Sequence, residues 1–139
     1  MSFDREALKA RLIQEEGRKN IIYTDTAGNI TAGIGRNLSR VGFTDDEIEL
    51  MYVNDVNRAV DFLDNNLSWW TSLDDVRQSV LVDMTFNMGS KILQFTNMLE
   101  ALQASDWAKA SDQMLDSLWA RQVGSRARNL ARIMLTGSL

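Results

Sequence analysis

Glu16, Asp25 and Thr31 are the residues whose types and spacing could carry out chemistry. They lie in the stretch from Glu15 to Leu38, where acidic side chains, a hydroxyl and four glycines separate apolar runs of no helical period. Asp25 follows Glu16 by nine residues, and Thr31 follows Asp25 by six. Leu8, Leu12 and Glu16 are spaced i, i+4 and i+8, which places them on one helical face. Glu16 is therefore expected to continue an apolar stripe, partly buried, with Gly17 just past the helix end. Burial and the negative end of a helix both disfavour a carboxylate, and a carboxyl kept protonated near neutral pH can act as a general acid. Asp25 has Thr24, Thr26, Gly28 and Asn29 as neighbours, a polar turn expected to leave its carboxylate ionised. Two carboxyls in contrasting environments are the pair that glycoside hydrolysis uses. A blander alternative stands beside this one. A glutamate at a helix end is commonly solvated, and an aspartate ahead of Thr and Gly commonly forms a turn.

The elements that must hold these residues follow from periodicity and end signals. Residues 3–16 are expected to form a helix capped by Ser2, with Asp4 and Glu6 in its first turn. Residues 21–24 and 30–34 read as short strands joined by a turn at Ala27, Gly28 and Asn29, and residues 36–43 as a connection. Thr44 and Glu47 form a capping box ahead of a helix reaching about Asn65, with Ile48, Met51, Val56, Val60 and Leu63 at helical spacing. Trp69 and Trp70 read as a hydrophobic plug in preference to a sugar platform. Ser72 is the expected cap of the next helix and Gly89 its end. Thr96, Ser105 and Ser125 are the expected caps of three more, the second carrying an inner face from Trp107 through Leu118 and the third stopped by Gly137. The fold class is α+β, mostly α-helical. A single domain, 1–139, is expected, with a small β-containing lobe at about 15–45 and a helical lobe at 65–139, linked by a helix at about 45–65.

Composition removes several alternatives. Among 139 residues there is no histidine and no cysteine, so Ser–His and Cys–His nucleophiles, disulfides and thiolate metal sites are excluded. The stretch Gly28–Gly35 has the glycine spacing of a phosphate loop but lacks the Lys-Ser/Thr pair that would hold phosphate and magnesium. No acidic calcium loop is present, and neither a metal nor another cofactor is expected. A net charge of −4 argues against a nucleic-acid partner. The charge is uneven: no acidic side chain follows Asp116, whereas Arg121, Arg126, Arg128 and Arg132 do. These are either solvated arginines or a local basic lip. No apolar run approaches the roughly 18 residues of a membrane span, and the charged N-terminal residues do not read as a signal peptide. A monomer is the default expectation.

Beyond single residues, Glu16 and the run Asp25-Thr26-x-Gly28-x-x-Thr31-x-Gly33-Ile34-Gly35 resemble the active-site segment of the T-even-type phage lysozymes, glycoside hydrolase family 24. Phe86 to Gly89 (FNMG), Phe95 to Asn97 (FTN), Trp107, Trp119 and Arg126-Ala127 match later markers of that family in order, so the resemblance spans almost the whole chain. It implies a lysozyme-like fold in which helix 3–16 packs with the C-terminal lobe. It also implies hydrolysis of the β-1,4 bond between N-acetylmuramic acid and N-acetylglucosamine in bacterial peptidoglycan. Glu16 would then protonate the leaving oxygen, Asp25 would assist the water or stabilise the developing positive sugar, and Thr31 would orient that water. An inverting route places such carboxyls about 6.5–9.5 Å apart. By the same resemblance Arg126 falls where the family pairs an arginine with the catalytic glutamate. Such a cation opposes the protonation that burial favours. Phe86, Asn87 and Gln113 would line the substrate cleft, although Phe86 could equally be core.

The chain also departs from the family. Arg36 stands where the best-known member has histidine, so the histidine–aspartate pair of that member is absent. The segment ahead of the linking helix is shorter, and the net charge is acidic, which weakens general attraction to an anionic wall. The resemblance implies an endolysin held in the host cytoplasm and released to the wall through a pore made by another protein, or a virion-borne wall-penetrating enzyme. A lytic transglycosylase and a non-catalytic wall-binding component remain as alternatives. The first would need no water-positioning group, and the second would be marked by loss of Glu16 or Asp25.

Overall fold

The computed structural model describes residues 2–139; Met1, the first residue of the expected 1–139 domain, lies outside them. The architecture is α+β and mostly helical, with one three-stranded antiparallel sheet. Two compact units are distinguished, one up to Leu50 and one from Met51 to Leu139. The division falls within helix α2, Asp45–Asn66.

The N-terminal unit opens with α1, Arg5–Glu16. Its cap is Asp4, not Ser2: the Asp4 carboxylate accepts a hydrogen bond from the Ala7 amide at 2.9 Å. A carboxylate also suits the positive end of the helix better than a neutral hydroxyl does. Gly17 ends α1 with φ of 83°, and its amide donates to the Ile13 carbonyl at 2.8 Å. Strands β1, Lys19–Thr24, and β2, Ile30–Gly33, form a hairpin, with Tyr23 opposite Thr31. The segment expected to be a plain connection begins with a third strand, β3, Arg36–Asn37. Asn37 of β3 pairs with Thr31, which places Thr31 on the central strand.

The expected capping box is present. The Glu47 amide donates to Thr44 Oγ1 at 3.2 Å, and the Thr44 amide donates to Glu47 Oε1 at 2.8 Å. Arg36 joins it, donating from Nη1 to the same Glu47 oxygen at 2.6 Å and to the Gly42 carbonyl at 3.2 Å. Arg36 thus ties β3 to the start of α2. The Glu47 carboxyl is held down at about 2 by the Arg36 guanidinium and the Thr44 cap.

The C-terminal unit contains the hydrophobic core. Leu63 of α2 and Trp70 of a short 3-10 turn, Ser68–Ser72, are buried with Val80, Leu81 and Met84 of α3, Asp75–Met88. A second 3-10 turn, Gly89–Gln94, contributes Ile92. Helix α4, Thr96–Gln103, adds Met98 and Leu102; α5, Trp107–Leu115, adds Ala110 and Met114; α6, Leu118–Val123, adds Trp119. Helix α7, Ser125–Thr136, adds Ala127, Leu130, Ala131 and Met134. Small buried residues, Ala110 on α5 with Ala127 and Ala131 on α7, suit a close approach of two helices, and the buried Ser111 hydroxyl bonds the Ala131 carbonyl at 2.9 Å. Trp70 is the plug expected from the sequence. Its indole N–H donates to Asp64 at 2.8 Å, satisfying the one polar atom that burial would otherwise strand.

Besides Ser2, four further cap assignments and one helix differ from expectation. Asp74 and Asp106 cap α3 and α5 in place of Ser72 and Ser105, accepting from Arg77 and Lys109 amides. Thr96 and Ser125 are the first residues of their helices and make no side-chain cap. The helix expected to run from Trp107 through Leu118 breaks at Asp116, and Ser117 caps a separate α6 by accepting from the Ala120 amide at 3.0 Å.

Candidate active site

Glu16, the last residue of α1, is exposed. The partial burial expected from the Leu8–Leu12 stripe is absent, because α1 has no buried residue and Leu12 itself is exposed. What the Glu16 side chain does meet within its unit is the backbone of Gly35. A Cβ built on Gly35 would lie 2.7 Å from Glu16 Oε2.

Asp25 occupies the hairpin turn, and the turn is built around its carboxylate. Oδ1 accepts from the amides of Ala27 at 2.9 Å and Asn29 at 2.8 Å, and Oδ2 faces the Asn29 side-chain amide at 3.4 Å. The Asp25 amide in turn donates to the Asn29 carbonyl at 2.9 Å, and Gly28 supplies the positive φ that lets the turn close. Donated hydrogen bonds favour the charged form. The Asp25 carboxyl is accordingly held below the ordinary carboxylate range, led by the bond from the Asn29 backbone. It is an ionised group beside neutral pH, as its polar neighbours led one to expect.

Thr31 is only 4% exposed, although it sits one strand from the turn. Its hydroxyl donates to the Asn29 carbonyl at 3.1 Å. With the hydroxyl proton committed, the oxygen is left with lone pairs that can accept a hydrogen bond. Asn29 therefore fastens both partners, donating to Asp25 and accepting from Thr31. Its role was missed in the sequence, where it read only as a turn residue.

The residues expected to bind substrate lie in the C-terminal unit and do not share one pocket. Asn87 and Gln113 line a groove of about 730 Å³ together with Lys91, Gln94, Phe95 and Trp119. Asn87 Oδ1 accepts from the Trp119 indole N–H at 2.8 Å, and Phe95 meets Trp119 edge-on with ring centroids 6.1 Å apart. Phe86 is 47% exposed, which removes the core alternative for it, and it lines a separate groove of about 390 Å³ with Tyr52, Val56, Ser79, Val82, Asp83 and Arg126. Arg126 is engaged by Asp83, donating from Nη2 at 2.6 Å and from Nε at 3.1 Å to the same carboxylate oxygen. Asp83 carried no signal in the sequence beyond lying three residues before Phe86.

The family model for phage lysozyme matches residues 13–132. The chain belongs to the phage lysozyme family. The matched span contains Glu16, Asp25, Thr31, Phe86, Asn87, Gln113 and Arg126. Among curated relatives of this phage lysozyme family chain are two from Dictyostelium discoideum, Probable T4-type lysozyme 1 and Probable T4-type lysozyme 2. They are 26% and 27% identical over 163 aligned residues, covering 96% of this chain and 96% of each relative. Pre-baseplate central spike protein Gp5 of Enterobacteria phage T4 is 29% identical over 157 residues, which cover 92% of this chain and 27% of the spike protein. Family membership makes the chain lysozyme-like. Among its described residues no helix is long and apolar enough to cross a membrane.

Proposed function

We propose that this chain is a muramidase, a glycoside hydrolase that cleaves the β-1,4 bond between N-acetylmuramic acid and N-acetylglucosamine in bacterial peptidoglycan. Glu16 gives its proton to the leaving glycosidic oxygen. A water donates one hydrogen to the Thr31 oxygen and the other to the Asp25 carboxylate, and attacks the anomeric carbon as that bond breaks; Asp25 takes up the released proton. The observation that carries this reading is the Asp25–Asn29–Thr31 arrangement. It ties an ionised carboxylate and a hydroxyl to the same residue, with the hydroxyl proton committed to the Asn29 carbonyl. Asn87 and Gln113 bind the polymer from the amide-lined groove, Phe86 offers an exposed ring to it, and Arg126 supports the site.

The chain acts as a monomer on glycan strands, with no cofactor. It is made in the host cytoplasm and released to the wall through a pore formed by another protein, causing lysis. A virion-borne, wall-penetrating role is the second reading, favoured by the 29% identity to a phage spike protein over 92% of this chain. Lysis by the endolysin route would be abolished by deleting the pore former, whereas a virion enzyme would copurify with particles.

The test is loss of turbidity of outer-membrane-permeabilised Gram-negative cells with the parent and Glu16→Gln. Clearing by the parent, and none by a variant folded by circular dichroism, supports the assignment. Equal clearing by both removes Glu16 as the acid, and no clearing by either favours a non-catalytic wall-binding protein.

A further inference from the structure

We infer that Gly35 is a positioning residue for the acid: its missing side chain is the space that the Glu16 carboxyl occupies. The inference rests on the reading of Glu16 as proton donor. Gly35 has φ of 70°, and a Cβ there would lie 2.7 Å from Glu16 Oε2 and 3.0 Å from both Cβ and Cδ of Glu16. Ordinary carbon contacts begin near 3.5 Å, so even a methyl group must displace the carboxyl by roughly half an ångström to one ångström. Three atoms along the side chain are met at once, so rotation of the carboxylate alone does not relieve the clash. Gly35 follows β2 directly after Ile34 and precedes β3, and β2 also carries Thr31. The turn leaving the strand that holds the Thr31 hydroxyl therefore supplies the wall against which the acid rests. Displacing an otherwise correct group by about one ångström can cost about a hundredfold in rate.

Backbone strain alone would be a merely structural explanation, and the chain contains its own control. Gly42 has φ of 65° with open space where a Cβ would be, so Gly42→Ala introduces the same strained conformation without touching Glu16. Steady-state kinetics on soluble peptidoglycan fragments separate the two. Gly35→Ala is expected to lower kcat by about 10- to 100-fold with KM little changed, while Gly42→Ala keeps both near the parent's. Withdrawing the carboxyl by one methylene removes the Oε2 and Cδ contacts and leaves the one to Cβ, so Gly35→Ala costs less activity when added to Glu16→Asp than it does in the parent. Equal losses in the two alanine variants, a change confined to KM, or additive losses in the double variant would each overturn the inference. If Gly35→Ala melts below the assay temperature, thermal unfolding carries the test: it must lose more than Gly42→Ala, and Glu16→Asp must restore part of the difference. A Glu16→Gln enzyme of full activity would instead remove the proton-donor reading, leaving the steric relation measurable by those melts.

Discussion

The two units are held together by different physics. From Ser2 to Leu50, Thr31 is the one buried residue; from Met51 onward, twenty-one hydrophobic side chains form the buried core. The N-terminal unit depends on local polar devices: the Asp4 cap, the Asp25 turn, the Thr44–Glu47 box and the Arg36–Glu47 pair. The C-terminal unit depends on apolar area removed from water, with polar groups tucked onto backbone carbonyls. The teaching is that the carboxyls proposed to react sit where water reaches them, and that hydrogen bonds from the turn favour the charged form of Asp25. Stability comes mostly from residues that take no part in that chemistry.

The sharpest way to break this contrast is a matched pair of truncations. Leu81→Ala, in the core, is expected to lose about 2–5 kcal/mol in chemical denaturation. Ile21→Ala, at a side chain 78% exposed on β1, stays within about 0.5 kcal/mol. Equal losses would mean that both units share one hydrophobic origin of stability.

A second test concerns the polar lock of the C-terminal unit. Arg77 is buried against the Trp107 ring, 3.9 Å from its centroid, and donates to the Met134 and Leu135 carbonyls at 2.7 and 3.0 Å. It thereby satisfies the end of α7, where Gly137 leaves room for the guanidinium. Arg77→Ala is expected to lose about 1–3 kcal/mol, and Arg77→Lys to recover little of it, since an ammonium cannot reach both carbonyls in one plane.

Removing a cap in the N-terminal unit has a smaller effect. Asp4→Ala is expected to cost about 1 kcal/mol, seen as fraying of α1 by amide exchange. The smallest effect is one of pH. The folded Glu47 carboxyl lies at about 2 against an ordinary 4.5, so its contribution is full above about pH 4.5 and is lost as pH falls through 2. Melts between pH 5 and 2 should show the N-terminal signals weakening first, and Glu47→Gln should flatten that dependence.

The same division explains what was legible in the sequence. The hairpin turn at Ala27–Asn29, the Thr44–Glu47 box, the Gly89 and Gly137 stops and the Trp70 plug each follow from a short-range rule obeyed locally. Caps were legible as regions but not as residues. Serine was expected at 2, 72 and 105, and an aspartate one or two positions later took each place, since an ionised acceptor binds helix amides more strongly than a hydroxyl. The break between α5 and α6 follows from Ser117, whose hydroxyl donates to the Met114 carbonyl and accepts from the Ala120 amide; periodicity through Leu118 concealed it. In the site, residue types pointed to Glu16, Asp25 and Thr31. The part played by Asn29, and the Asp83–Arg126 pair spanning 43 positions, needed tertiary structure.

In the proposed reaction water, oriented by Thr31 and Asp25, is the nucleophile. The direct measurement is digestion of purified peptidoglycan in ¹⁸O-enriched water, followed by mass spectrometry of the fragments. Reducing muramic acid ends carrying one ¹⁸O, and their loss in Asp25→Asn, are the predicted result. Unlabelled 1,6-anhydro ends would contradict it and assign the chain to the transglycosylases.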